Sequence, residues 1–69
     1  MASNTDILTA LVEQLHDGKN GAARSGAAKG LGIIGGEVAR RELLRALQSA
    51  RTGEEAGVIA EALGQATLN

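Results

Sequence analysis

Apolar residues recur along this chain at three- and four-residue spacing, as in Ile7, Leu8, Leu11, Val12 and Leu15, with polar residues between them. That period returns a side chain to one face of a helix each turn, so it predicts helix, and no Pro interrupts it anywhere. The first helix begins after Ser3 or Asn4, where Asp6 completes a Ser-x-x-Asp start signal, and ends at Asp17-Gly18, with Gly18 as the C′ stop. A second starts after Asn20, a good N-cap, and runs to about Ile34, where Gly35-Gly36 breaks it. A third spans roughly Glu37 to Ala50; Leu43, Leu44 and Leu47 form its apolar stripe, and Glu37 and Arg41 are spaced for a surface ion pair. Thr52 with Glu55 three residues later is a capping box that opens a last helix, continuing to about Thr67. Four helices joined by connections of two to four residues pack with sequence neighbours antiparallel.

The chain also resembles itself. A shift of 32 residues sets Leu11 on Leu43, Leu15 on Leu47, Gly21 on Gly53, Ala28 on Ala60, Leu31 on Leu63 and Gly32 on Gly64. Val12 on Leu44, Lys19 on Arg51, Asn20 on Thr52 and Gly30 on Ala62 are conservative pairs at the same offset. One ungapped shift therefore aligns both helices and the turn, which is the signature of a duplicated helical hairpin. The expected organisation is a single domain over 1–69, with repeat one about 4–35 and repeat two about 36–67.

The second helix of each unit carries a recognisable run. Arg24-Ser25-Gly26-Ala27-Ala28-Lys29-Gly30-Leu31-Gly32 and the Ala62-Leu63-Gly64 ending of the second copy resemble the short HEAT-like repeats of the phycobilin-lyase type, whose second helix reads Arg-x-Ala-Ala-x-x-Ala-Leu-Gly. Arg40, where such repeats usually have an apolar residue, and the lack of Pro in either first helix depart from that pattern. The resemblance implies an all-α fold of four helices in two antiparallel hairpins, a short α-solenoid, whose second helices line a concave protein-binding surface. It names an architecture and not a partner.

With Ala27 at the centre of the buried stripe of the second helix, Ala23, Gly30, Leu31 and Ile34 fall inside, and Ala22, Ser25, Lys29 and Gly32 fall outward or sideways. In the last helix Ile59, Ala62, Leu63 and Ala66 face in, while Glu54, Gly57, Glu61, Gly64 and Gln65 face out. Gly26, Gly30 and Gly32 together cost the second helix roughly 3 kcal/mol against Ala. Close approach of another helix compensates, either within the molecule at Gly26 and Gly30 or between subunits along the Ser25/Gly32 and Gly57/Gly64 stripes. Repeat arrays bury a continuous core with about three units and carry polar caps. This chain has two units without evident caps, and Ile33 and Leu68 stand as exposed apolar side chains near its ends. The candidate protein-binding residues are thus Ser25, Lys29, Gly32, Ile33, Gly57, Glu61, Gly64, Gln65 and Leu68.

Composition sharpens this picture. The 69 residues include no Phe, Tyr, Trp or Cys, so Leu, Ile, Val and Ala make a thin core with neither ring burial nor disulfides to support it. Oligomerisation is the remaining route to stability. A net charge of −1 draws the chain to neither nucleic acid nor an anionic membrane. No stretch reads as a signal peptide or a membrane span, and the expected location is cytoplasmic.

Candidate chemistry is sparse. The only histidine, His16, sits in the last turn of the first helix, where it meets the C-terminal carbonyls. One His and no Cys exclude the usual zinc sets, the acidic residues lack calcium-loop spacing, and Gly30-x-Gly32 lies inside a helix and not between strand and helix. The expectation is a non-enzymatic module without cofactor or metal that binds protein and assembles with its own copies, as a homo-oligomer or head to tail. An adaptor or chaperone-like accessory holding a different protein on the concave face is the alternative. A weak nucleic-acid binder using Arg24, Arg40, Arg41, Arg45 and Arg51 is disfavoured by the interleaved Glu37 and Glu42 and the absence of aromatic residues.

Overall fold

A computed structural model describes residues 2–69; Met1, the start of the N-terminal stretch that does not read as a signal peptide, lies outside the described residues. The fold is all-helical: α1 is Asn4–Asp17, α2 Gly21–Ile34, α3 Gly36–Gln48 and α4 Gly53–Leu68, with no strand among the described residues. The helix starts repeat the 32-residue offset, Asn4 matching Gly36 and Gly21 matching Gly53.

The caps explain most boundaries. Ser3 and Asp6 form a reciprocal capping box at α1, each side chain meeting the other's backbone N–H at 3.1 Å. Asn20 Oδ1 accepts from the Ala23 N–H at 2.8 Å, and Thr52 Oγ1 accepts from the Glu55 N–H at 3.1 Å, so α2 and α4 begin at equivalent N-caps. Only half of the expected box forms at Thr52. The Glu55 carboxylate turns instead to the Arg51 N–H at 3.2 Å and to Arg24. Gly18 does end α1, but with φ −56 and ψ 145 it is not the left-handed residue a C′ glycine usually supplies. Space is its requirement there: an added Cβ would lie 2.6 Å from the Gln14 carbonyl oxygen and 3.0 Å from Arg24 Cγ.

The third helix ends at Gln48, two residues before the expected Ala50. Ser49 Oγ donates to the Arg45 and Ala46 carbonyls at 3.2 and 3.4 Å, offering the backbone an alternative to another helical turn. The expected two- to four-residue connections hold at 18–20 and 49–52 but not between α2 and α3, which a single residue, Gly35, joins. Its φ of 69 and ψ of −161 belong to a region open essentially to glycine alone, and Gly36 follows at φ 87.

Packing follows from which residues meet. Gly18 lies beside Arg24 and Gly30 beside Leu11, so α1 and α2 run antiparallel. Gly21 lies beside Glu55, Gly32 beside Ala62 and Gly35 beside Ala66, so α2 and α4 run parallel. The second helix touches all three others, α3 packs on α4 and on α1, and α1 does not reach α4. Being central, α2 buries two stripes, Ala27 with Leu31 and Ala28 with Gly32. A single stripe centred on Ala27 missed the second one. Gly32 is therefore not an outward residue but is buried against α4, where an added Cβ would stand 2.8 Å from the Ala62 carbonyl oxygen. Ile34, expected inside, is half exposed at the far end. Gly26 admits no neighbour, having nothing within 4 Å of an added Cβ, whereas Gly30 meets Leu11 at ordinary distance. The core consists of Leu15, Leu31, Leu43 and Ile59 with six alanines, and Leu8, Leu11, Val12, Leu47 and Leu63 cover its edges.

Candidate protein-binding interface

Two buried carboxylates tie the helical pairs together. Glu55, 5% exposed, accepts from Arg24 Nε at 2.7 Å, and Arg24 Nη1 donates to the Gly18 carbonyl at 2.9 Å. One guanidinium thus links the end of α1 to the first turn of α4. Burial pushes the Glu55 carboxyl up, but hydrogen bonds from the Arg51 N–H and from Arg24, with both arginine charges, outweigh it and hold the group below the usual glutamate range. Glu42 is likewise lowered, chiefly by the hydrogen bond from His16 against the opposing effect of burial, with help from Arg45 and Arg41. His16 Nε2 lies 2.8 Å from Glu42 Oε1 and donates to it when the carboxylate is ionised. His16 was read as meeting its own helix's carbonyls; its partner across the fold was not visible, because a glutamate 26 residues away carries no local signal.

These pairs also change the standing of the arginines. Arg24, whose side chain is 11% exposed, is engaged on two sides and presents no free fork for phosphate, and Arg41 and Arg45 both approach Glu42, at 3.5 and 3.4 Å. Among the described residues no buried side-chain nitrogen or oxygen lacks a hydrogen-bond partner, and no three His, Cys, Asp or Glu side chains group as metal ligands. No described helix is long and apolar enough to cross a membrane.

Among the candidate residues, Lys29, Ile33, Glu61 and Gln65 line one shallow recess with Val58 and Ala62, between the outer edges of α2 and α4. Ser25 and Lys29 border a second recess on the same groove, toward Thr52 and Glu54. Gly57 and Gly64 are exposed on α4, with open space around both, and Leu68 is 83% exposed. Gly32 alone is withdrawn from the surface. Ile33, at 72% exposure, confirms an apolar side chain in solvent, and Ile7, Ile34 and Leu44, which were not candidates, join it as half-exposed large hydrophobics.

Comparing positions 32 residues apart explains that exposure. Ala28 and Gly32 of the first pair are buried and Val12 partly so, while their counterparts Leu44, Ala60 and Gly64 are exposed. Ala39, Ala62 and Ala66 of the second pair are buried, while their counterparts Ile7, Gly30 and Ile34 are partly or largely open. Each pair thus has one face covered by the other and one face uncovered. The two uncovered faces hold Ile7 and Ile34 on one side and Leu44, Ala60 and Gly64 on the other. Comparison with known proteins adds no relative to this description: the chain matches no protein family, no curated protein and no solved structure.

Proposed function

We propose that the chain is a non-enzymatic, HEAT-like structural module whose work is protein binding, above all self-association of stacked helical pairs. The observation that carries this reading is the set of five large apolar side chains in solvent, Ile7, Ile33, Ile34, Leu44 and Leu68, on a fold whose core is mostly alanine. Burying a Leu or Ile side chain fully gains about 1.5–3 kcal/mol, a large increment for a domain of this size. The buried polar groups serve the fold: Glu55 is paired with Arg24, and Glu42 is hydrogen-bonded to His16, each between helices.

The groove between α2 and α4 favours a second reading, an adaptor that holds a different protein against Lys29, Ile33, Val58 and Gln65. Light scattering behind size-exclusion chromatography over about a hundred-fold concentration range separates the two. A mass that rises above one chain supports self-association. A one-chain mass throughout removes it and leaves the groove as the functional surface.

A further inference from the structure

We infer that copies of this chain join by repeating their own internal joint: the open face of the second helical pair receives the open face of the first pair of the next copy, in the 32-residue register. This rests on the self-association reading and specifies its geometry. The internal joint serves as the template. There α2 and α4 run parallel and approach so closely at Gly32 that a Cβ would strike the Ala62 backbone. The face that α2 turns to α4 is reproduced on α4 itself, Ala60 standing for Ala28 and Gly64 for Gly32, with nothing on it. The face that receives α2 is reproduced on the first pair, where Ile7 and Ile34 replace Ala39 and Ala66 and stand half in solvent. The open face of the second pair is small along α4, at Ala60 and Gly64, with Leu44 beside them on α3, and that of the first pair is bulky at Ile7 and Ile34; two different faces meet, so the contact is heterologous.

The substitutions at this joint have one theme. Arg24 and Glu55, paired inside, have Ala56 and Ala23 as counterparts, and His16 and Glu42 have Gln48 and Ala10. No charge pair of the internal joint is carried over. The joint between copies is therefore apolar, and its strength does not fall as salt rises from about 0.1 to about 1 M.

Two variants test the register. Gly64→Gln fills open space on an exposed helix face and spares the fold, but blocks the small face. Ile7→Glu places a charge on the bulky face; Ile34→Glu, at the other half-exposed position of that face, replaces it if circular dichroism shows Ile7→Glu unfolded. By light scattering, each variant alone is expected to need at least about tenfold more protein than the unsubstituted chain to associate, a shift that follows from about 1.4 kcal/mol. An equimolar mixture is expected to restore association and to stop at two chains, because each partner has one live face. If the unsubstituted chain associates but the mixture does not pair, or if either variant alone still dimerises as the unsubstituted chain does, the register is overturned and self-association stands. If the unsubstituted chain stays at one-chain mass, both fall.

Discussion

Replacing Arg24 by Met tests whether the Arg24–Glu55 pair is a structural keystone. The guanidinium is 11% exposed and holds Glu55 at 2.7 Å and the Gly18 carbonyl at 2.9 Å. Without it, Glu55 keeps the Arg51 N–H but remains a 5% exposed carboxylate with no countercharge in contact. Removing one member of a buried pair costs about 3–5 kcal/mol, because the surviving charge is left uncompensated. A chain of 69 residues has roughly 3–10 kcal/mol to lose, so Arg24→Met removes from about a third to all of it. Replacing both residues, Arg24→Met with Glu55→Met, removes the stranded charge and should recover most of the loss, since apolar replacements of buried pairs are often close to neutral. The assay is urea denaturation followed by far-ultraviolet circular dichroism, at concentrations where one-chain mass dominates. Intrinsic fluorescence is blind in a protein without Trp or Tyr. With a slope of about 1 kcal/mol per molar urea, the single variant lowers the midpoint by about 3–5 M. A loss below about 1 kcal/mol, or a double variant no more stable than Arg24→Met alone, would refute the reasoning.

Four further outcomes follow from neighbouring features. Gly26→Ala should raise the thermal midpoint by about 4–8 °C, because about 1 kcal/mol of helix propensity is regained in open space. Gly32→Ala should lose about 1–3 kcal/mol against the Ala62 backbone; thermal melts showing both shifts in one direction would contradict the packing of α2. Glu42 and Glu55 both titrate below the ordinary glutamate value, so their contribution is complete above about pH 4.3 and drains away as pH falls through the lowered folded values. Chemical denaturation should thus show a decline below about pH 4; Glu42→Gln should shrink that decline, and an unchanged acid limb would speak against the pairing. Asn69→Ala removes donors at 3.2 and 2.9 Å from the Gly32 and Ile33 carbonyls and should cost about 0.5–1.5 kcal/mol, visible as faster amide exchange at the end of α2.

The helices were legible because their signals are local. Ser3, Asn20 and Thr52 announce starts through side chains that reach only three residues ahead, and the apolar period marks what each helix buries. The inward face of α4 was readable in the same way, since Ile59, Ala62 and Ala66 face a single side. The central helix was harder. Its second buried stripe is composed of Ala28 and Gly32, and small residues carry no hydropathy contrast by which a buried face can be told from an open one. The side-chain pairs were invisible for another reason: His16 with Glu42 and Arg24 with Glu55 depend on how the helical pairs stack, 26 and 31 residues apart. Of the candidate surface, the exposed Ile33 could be anticipated from its alignment with Gln65 and Leu68 from its place near the tail, whereas Ile7 and Leu44 lie on apolar stripes that look like core until the neighbour that would cover them is known.

The link between α2 and α3 bears on the mechanics of any larger structure. A one-residue link leaves the two helical pairs little slack, and the Arg24–Glu55 and His16–Glu42 contacts clamp the same joint. A joint between copies has neither tether nor clamp. Stiff and compliant joints would then alternate along an assembly, bending would concentrate at every second one, and its persistence length would be set by apolar contact alone. Fluctuations of shape, measured along such an object, would carry the period of the molecule and not that of the helical pair.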